Sequence, residues 1–585
     1  MGGPAPVGAS QLTRFTRRRA WAGLAGCLAL YLALALPQLD LPGLHNDEAV
    51  EGGLQAGQIL DGQPITTFRG AGLELGGRTW PVMVQDYIGA FNVYLPIPFL
   101  AIFGHTTAAL RLYAVLLGGL TLGLAFGFAR SALGPGAALI TGLLMAVSPS
   151  FVFWQREGVF VTSITASLAV GMMWAALAWL RTRKARWAFM AGLLAGAGLY
   201  AKLLFLWVIV GAAGAGAVAA LFEAARSGGG IRVLLTTLRW RWRHGLAAAL
   251  MFAAGGLIGL APLAQYNLQT GGTFASVGDN LNTSYYGVNN ADIAGNLRVR
   301  LGQLGDVISG RDHLSYLGGS FHNPLWPWML GAAAAVILLH ALWTRRAGSS
   351  LWVLALLALA VAQSSFTVSG LFATHFAILA PFWPMVMGAA LTLRWERINR
   401  GYALERFATG PRRGRLATAL RAVAVVMVAL LWVRDATSTL AYHQRLHLVG
   451  GTSSHSDAVY RLIHVLREHA GRPVYAMDWG FAPQVRMLTR EAIVPQEIFG
   501  YTWEPDEGFG ARLDEALAQP GALFVFHAES DTVFPRRAAF EAAVAAQGME
   551  VESVALLLRR DTVPILEVIR VMRQPLPSQP ALRRE

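Results

Sequence analysis

The chain's 585 residues are 54% hydrophobic and only 14% charged, against roughly 25% charged in a soluble globular protein, which excludes a soluble class and points to a bilayer. Its formal charge of +14 gathers in short loops between apolar runs, the pattern that sets membrane orientation, so nucleic acid is not expected as a partner. The single cysteine, Cys27, lies within the first apolar run and excludes an internal disulfide or a cysteine metal cluster.

Residues 1–20 form a basic N-terminus carrying Arg14, Arg17, Arg18 and Arg19. No small-residue cleavage site follows the next apolar run, which therefore reads as a retained first span. Runs near the ~20 residues that cross a bilayer recur to about residue 435. They place eleven spans near 21–39, 108–130, 134–152, 159–180, 187–201, 203–223, 245–266, 326–343, 350–369, 374–393 and 417–435. The segment "YIGAFNVYLPIPFLAIFG" (87–104) is apolar enough for a twelfth, but Pro96 and Pro98 interrupt helical bonding and its Tyr and Phe residues suit an interfacial helix. With that segment on the surface, the basic loops 181–186, 226–244, 344–348 and 394–415 share the side of the N-terminus, as the Lys/Arg bias requires.

The expected architecture is a polytopic α-helical membrane domain at 21–435, with a first outer loop at 40–107, an outer substrate loop at 266–325 and a soluble extracytoplasmic α/β domain at 450–585. The run from Trp187 to Leu221 is too long for one crossing, and a lysine at mid-span would cost about 2.5–3.5 kcal/mol. Two spans turning at Tyr200–Lys202 remove that cost and bring Lys202 to the outer face. The outer loop is rich in Asn and Gly, and its Tyr285, Tyr286 and His322 mix ring faces with polar groups suited to sugars, although a surface loop with interfacial aromatics fits as well. Beyond residue 450 amphipathic helices such as "SDAVYRLIHVLREHAG" alternate with buried strands such as "RPVYAMDW" and "ALFVFHA", the pattern of a largely parallel layered sheet. Asp478 and Trp479 fall at a strand's carboxyl end, where ligands bind in open α/β sheets, so they join the candidate contacts for sugar or acceptor.

Four segments bring polar groups to the outer membrane face: Asp47 and Glu48, Arg156 and Glu157, Lys202, and His375. Singly, each has a plain explanation, such as a helix cap for Asp47 or snorkelling for Arg156. Together they suit transfer of a group from a lipid phosphate. A carboxylate within reach of a hydroxyl acts as general base, while Arg and Lys hold a phosphate and stabilise the charge developing on it.

The segments "HNDEAVEGGLQAGQILDGQ", "YIGAFNVYLPIPFLAIFGHTTAALRLYAVLLGG", "LLMAVSPSFVFWQREGVF", "GAGLYAKLLFLW" and "HFAILAPFWPMVMGAAL" occur in an order that resembles the GT-C membrane glycosyltransferases, in particular the family of protein O-mannosyltransferases and lipid A aminoarabinose transferases. The resemblance covers roughly residues 20 to 395. It implies an inverting transferase with a sugar donor on polyprenyl phosphate and a lipid, glycan or protein acceptor outside the cytoplasmic membrane. Asp47 matches the family's catalytic acidic residue, with Glu48 beside it; Arg156, Lys202 and His375 are the implied phosphate binders. Family members often carry a second acidic residue after the third span, a role that falls here to Glu157 or to none. A divalent metal is accordingly not favoured, since one adjacent pair plus Glu157 is thin for an oxygen-ligand site. A transporter or flippase for lipid-linked sugars, or a scaffold presenting the terminal domain, are the rival readings; the charged groups gather at one face and do not line a path across.

Overall fold

A computed structural model of the chain describes residues 7–156, 160–226, 230–311, 317, 321–344, 347–393 and 411–573. Long helices fill its membrane part because, without water, only intra-helical bonding satisfies every backbone N–H and C=O of a spanning segment. Among the described residues, six helices are long and apolar enough to cross a membrane: Thr107–Ala132, Ile164–Thr182, Leu203–Ala225, Gly245–Thr270, Trp326–Thr344 and Ala422–Val449. A pair bent by 51°, Ala373–Leu379 and Phe382–Leu391, adds a seventh if it counts as one span. The protein is thus a multi-pass membrane protein, but the expected count of eleven spans is not recovered. The segments expected to cross at 134–152 and 350–369 form helices of 13 and 15 residues, short of the roughly 17–25 residues of a full crossing.

Small residues set the closest packing. A Cβ added at Gly192 would run into the Phe252 carbonyl, and one at Gly196 into that of Gly256. The helix Ala185–Ala201 therefore lies backbone to backbone against Gly230–Thr270, the small-residue contact that membrane helices use where apolar lipid supplies no hydrophobic drive.

The first outer loop folds on top of this bundle. It carries two hairpins, β1 (Gly72–Leu75) with β2 (Arg78–Pro81) and β3 (Met83–Gln85) with β4 (Ile88–Gly89). The apolar segment after them makes two short helices, Phe91–Tyr94 and Ile97–Phe103, with Pro96 at their junction. The second outer loop is less irregular than its composition implies, since Gly272–Asp279 and Ile293–Ser309 are helical.

The terminal domain holds a five-stranded sheet in the order β6-β5-β7-β9-β8, with β5 at Val474–Ala476, β6 at Gln496–Glu497, β7 at Leu523–His527, β8 at Met549–Leu558 and β9 at Pro564–Arg573. β5, β6 and β7 run parallel, whereas β9 and β8 pair antiparallel, so the sheet is mixed and not largely parallel. Side chains alternate across a strand. Leu523 and Val525 pack with Leu462 and Val485 on one face, and Phe524 and Phe526 with Leu513 and Phe540 on the other, which covers both faces with helices.

Candidate active site

Asp47 begins the site. His45 caps the short helix that starts at Asn46: its Nδ1 accepts the Asp47 N–H at 3.3 Å, and its own N–H donates to Glu48 Oε2 at 3.0 Å. The reciprocal cap fixes the helix start. Glu48 is fully buried, with Arg111 donating through Nε to Oε1 at 2.8 Å and through Nη2 to Oε2 at 2.7 Å. The same guanidinium donates to the carbonyls of Leu39, Pro42 and Gly43. Glu48 is thereby locked into the frame of the loop, and the catalytic role expected for it does not fit this geometry.

Successive residues on a helix point about 100° apart, so the adjacent pair separates: Glu48 faces inward and the Asp47 side chain stays 50% exposed. The residue that shares its face is Glu51, one turn on. Glu51 is buried and accepts from Gln85 Nε2 at 3.0 Å. Burial, and then the Asp47 charge, raises its carboxyl to about 8, against the opposing pull of Lys202. Sequence reading stopped at the two adjacent acids; the i, i+4 spacing in "DEAVE" was the signal that pointed to Glu51.

Lys202 lies where helix Ala185–Ala201 ends. It forms an isolated antiparallel bridge with Ile88, and the Leu203 N–H donates to the Tyr87 carbonyl at 3.1 Å, so the second hairpin of the first outer loop holds the turn in place. Glycine at 89 allows this, because a Cβ there would strike the Tyr200 carbonyl. Burial lowers the Lys202 ammonium from its usual value while Glu51 and Asp47 act against that drop. Desolvation, with added contributions from the Asp47 and Glu51 carboxylates, raises the phenols of Tyr87 and Tyr286. Asp47, Glu51, Lys202, Tyr87 and Tyr286 thus share one electrostatic environment.

From this cluster opens a cavity of about 1060 Å³, at the upper end of the range for small-ligand sites. Lys202, Tyr87 and His375 line it, and its wall is otherwise mostly apolar, with Leu203, Leu206, Leu260, Leu263, Phe274 and Val277 among the lining side chains. His375 is buried edge-on to Trp207 and Phe372, with ring centroids at 6.2 and 5.7 Å. Its Nδ1 lies 3.5 Å from Nη2 of Arg300, a fully buried residue that sequence reading missed. Arg300 donates to the carbonyls of Ser364 and Phe372 and stands over the Trp207 ring at 5.6 Å. Its signal was an arginine on the apolar face of an amphipathic helix, between Leu297 and Leu304.

The remaining expected residues divide. Tyr286 faces the acidic cluster and packs edge-on against Tyr285 and Phe372. Arg156 is fully enclosed and donates to the carbonyls of Ala35, Pro37 and Gln38 and to the Tyr442 hydroxyl. It ties the end of the first span in place, and the phosphate-binding role expected for it does not fit. Glu157 lies outside the described residues. His322 sits 3.2 Å from Arg311 Nη2, and burial together with the Arg311 and Arg434 charges lowers its imidazole, a cluster that does not include Asp47. Asp478 is buried and accepts from the Trp479, Val533 and Phe534 N–H groups and from His527 Nδ1 at 2.9 Å, so its hydrogen bonds brace the loops around it, and the sugar contact expected for it does not fit this geometry. Trp479 meets the edge of His45 with centroids 6.0 Å apart. Among the described residues no group of three or more His, Cys, Asp or Glu side chains is arranged to hold a metal ion.

Comparison with known proteins bears on the fold. Residues 93–256 match the family model described as dolichyl-phosphate-mannose-protein mannosyltransferase. No curated protein matches the sequence. The chain is similar to ArnT from Cupriavidus metallidurans bound to undecaprenyl phosphate, 13% identical over 93% of this chain and 97% of that one, with a TM-score of 0.55. The apo state of ArnT gives 12% identity, coverage of 94% and 98%, and a TM-score of 0.57. The archaeal oligosaccharyltransferase AglB from Archaeoglobus fulgidus, in complex with an inhibitory peptide and a dolichol-phosphate, gives 14% identity, 87% and 70% coverage, and a TM-score of 0.50. The chain has the GT-C fold of these membrane proteins.

Proposed function

We propose that the protein is an inverting glycosyltransferase that moves a sugar from a polyprenyl-phosphate donor to a hydroxyl of a lipid, glycan or protein acceptor. The observation that carries this reading is a buried ammonium, Lys202, in the wall of a large apolar cavity and within electrostatic reach of a half-exposed carboxylate, Asp47. The cavity takes the polyprenyl chain, Lys202 meets the phosphate with His375 beside it, and the anomeric carbon falls toward Asp47. Asp47 takes the proton from the acceptor hydroxyl as its oxygen bonds to that carbon; the glycosyl–phosphate bond breaks and its electron pair leaves on the phosphate, whose charge Lys202 stabilises. One displacement inverts the anomeric centre. The lipid phosphates held by ArnT and AglB in their structures support the donor class.

The reading assigns the phosphate's counter-charge to Lys202 and not to a resident metal. It also places the basic N-terminus in the cytoplasm and the terminal domain outside the cytoplasmic membrane, on the strength of the basic short loops. A transfer assay in detergent with a panel of polyprenyl-phosphate sugars tests it. Asp47→Asn is expected to lower turnover by about 10²–10⁴-fold with folding intact, and chelator to change nothing. Equal turnover in the variant removes Asp47 from the mechanism, and no turnover of any donor returns the transporter reading.

A further inference from the structure

The parallel strands β5, β6 and β7 end at one edge of the terminal sheet, the edge at which open α/β sheets bind ligands. Three loops therefore converge there: 477–481, 498–508 and 528–536. The first carries Trp479, which touches the cap of the Asp47 helix. Asp478 joins it to the third loop by accepting from the Val533 and Phe534 N–H groups. Phe534 in turn stacks on Phe499 of the second loop at 5.2 Å and anchors Tyr501 and Trp503 at 5.9 and 6.2 Å.

The second loop is held with unusual thoroughness for a surface segment. Arg536, itself 1% exposed, donates to the carbonyls of Phe499, Thr502, Trp503 and Glu504. Gly500 supplies the left-handed turn at φ 68°, and Asp506 closes the loop on the Gly508 N–H and Arg512. What this frame presents to solvent is two large rings, Tyr501 at 62% and Trp503 at 71% exposed. Rigid Tyr and Trp side chains offer large amphipathic contact areas at little entropic cost, and a pre-ordered loop loses little more on binding. The flanking groups are mostly carboxylates: Glu497, which accepts the Tyr501 hydroxyl at 2.6 Å, then Glu504 and Glu507, with Asp506 already paired to Arg512. An acidic rim repels an anionic lipid headgroup but accepts hydrogen bonds from neutral hydroxyls.

We infer that Tyr501 and Trp503 form a carbohydrate-binding platform that takes a neutral glycan, its sugar rings stacked on the two side chains and its hydroxyls donating to the acidic rim. Because the platform shares a loop cluster with Trp479, it holds the growing or target glycan on the end of the terminal sheet that meets the cap of the Asp47 helix; that use as an acceptor site rests on the glycosyl-transfer reading, whereas the binding itself does not.

The test uses the full chain in detergent on an array of neutral mannose, glucose, galactose and arabinose oligosaccharides, comparing wild type with Tyr501→Ala and Trp503→Ala. The expected result is retention of at least one oligosaccharide, weakened about tenfold or more in each ring variant at unchanged melting temperature. Platform-dependent binding without turnover of any donor keeps the site and removes only the transfer reading. Equal binding by wild type and Trp503→Ala, or none by wild type, overturns the inference, as does loss of association with phosphatidylcholine vesicles in the ring variants in place of loss of glycan binding.

Discussion

The imidazoles of His45 and His455 lie parallel, with centroids 3.9 Å apart and 1° between their planes. His45 caps the helix of Asp47, and His455 belongs to the terminal domain, whose backbone also accepts the Gly43 N–H at 2.7 Å. The terminal domain is thus part of the frame that aims the proposed base.

His455→Ala is expected to lower kcat by up to about 10²-fold, the scale of a 1 Å misplacement, with the donor KM little changed. His455→Phe keeps a flat ring and is expected to restore most of the rate. A rise in donor KM, or no rescue by Phe, assigns His455 another role.

Glu48 and Arg111 form a buried pair at 2.7 Å. Removing one partner of such a pair costs about 3–5 kcal/mol, so Glu48→Gln is expected to destabilise the fold, unlike Asp47→Asn. Thermal melts in detergent decide this, and an inactive Glu48→Gln protein that melts like wild type returns Glu48 to the chemistry.

Arg156→Leu leaves the carbonyls of Ala35, Pro37 and Gln38 without their donor. At about 1–3 kcal/mol for each unsatisfied buried group, a lower melting temperature is expected with the donor KM unmoved. A variant of normal stability with a raised donor KM makes Arg156 a phosphate binder after all.

Ala264 lines the apolar cavity and is itself exposed. Ala264→Trp is expected to raise KM about tenfold for long-chain donors, roughly the loss of one well-packed contact, and less for short-chain ones. Chain-length independence places the lipid elsewhere.

Burial and the Asp47 charge raise the Glu51 carboxyl from 4.5 to about 8. A carboxyl that holds its proton more tightly when folded contributes stability fully present below its unfolded value and lost as the pH climbs through its folded one. Glu51→Gln carries no such contribution, so between about pH 5 and about pH 9 it is expected to lose less stability than wild type. Parallel melting curves across that range count against a raised Glu51.

Much was legible along the chain. Composition and run length are local properties, and they gave the membrane class and the break between two helices at Lys202. An acidic residue just past the first span marked Asp47 in the same way. The count of eleven spans is not confirmed among the described residues, because hydropathy measures how apolar a run is and not how long its helix stays straight: the runs at 134–152 and 350–369 form helices of 13 and 15 residues.

The sequence by itself therefore determined where polar groups interrupt apolar ones, since that depends on neighbours in the chain. Only the tertiary structure decided what each polar group does, because its partners are distant. Arg111 reaches Glu48 across 63 positions and leaves Asp47 and Glu51 as the facing acids. Tyr442 meets Arg156 across 286 and takes it out of the proposed site. A charge in a low-dielectric interior is bound to whatever neutralises it, and which side chain that is depends on packing that no local pattern records.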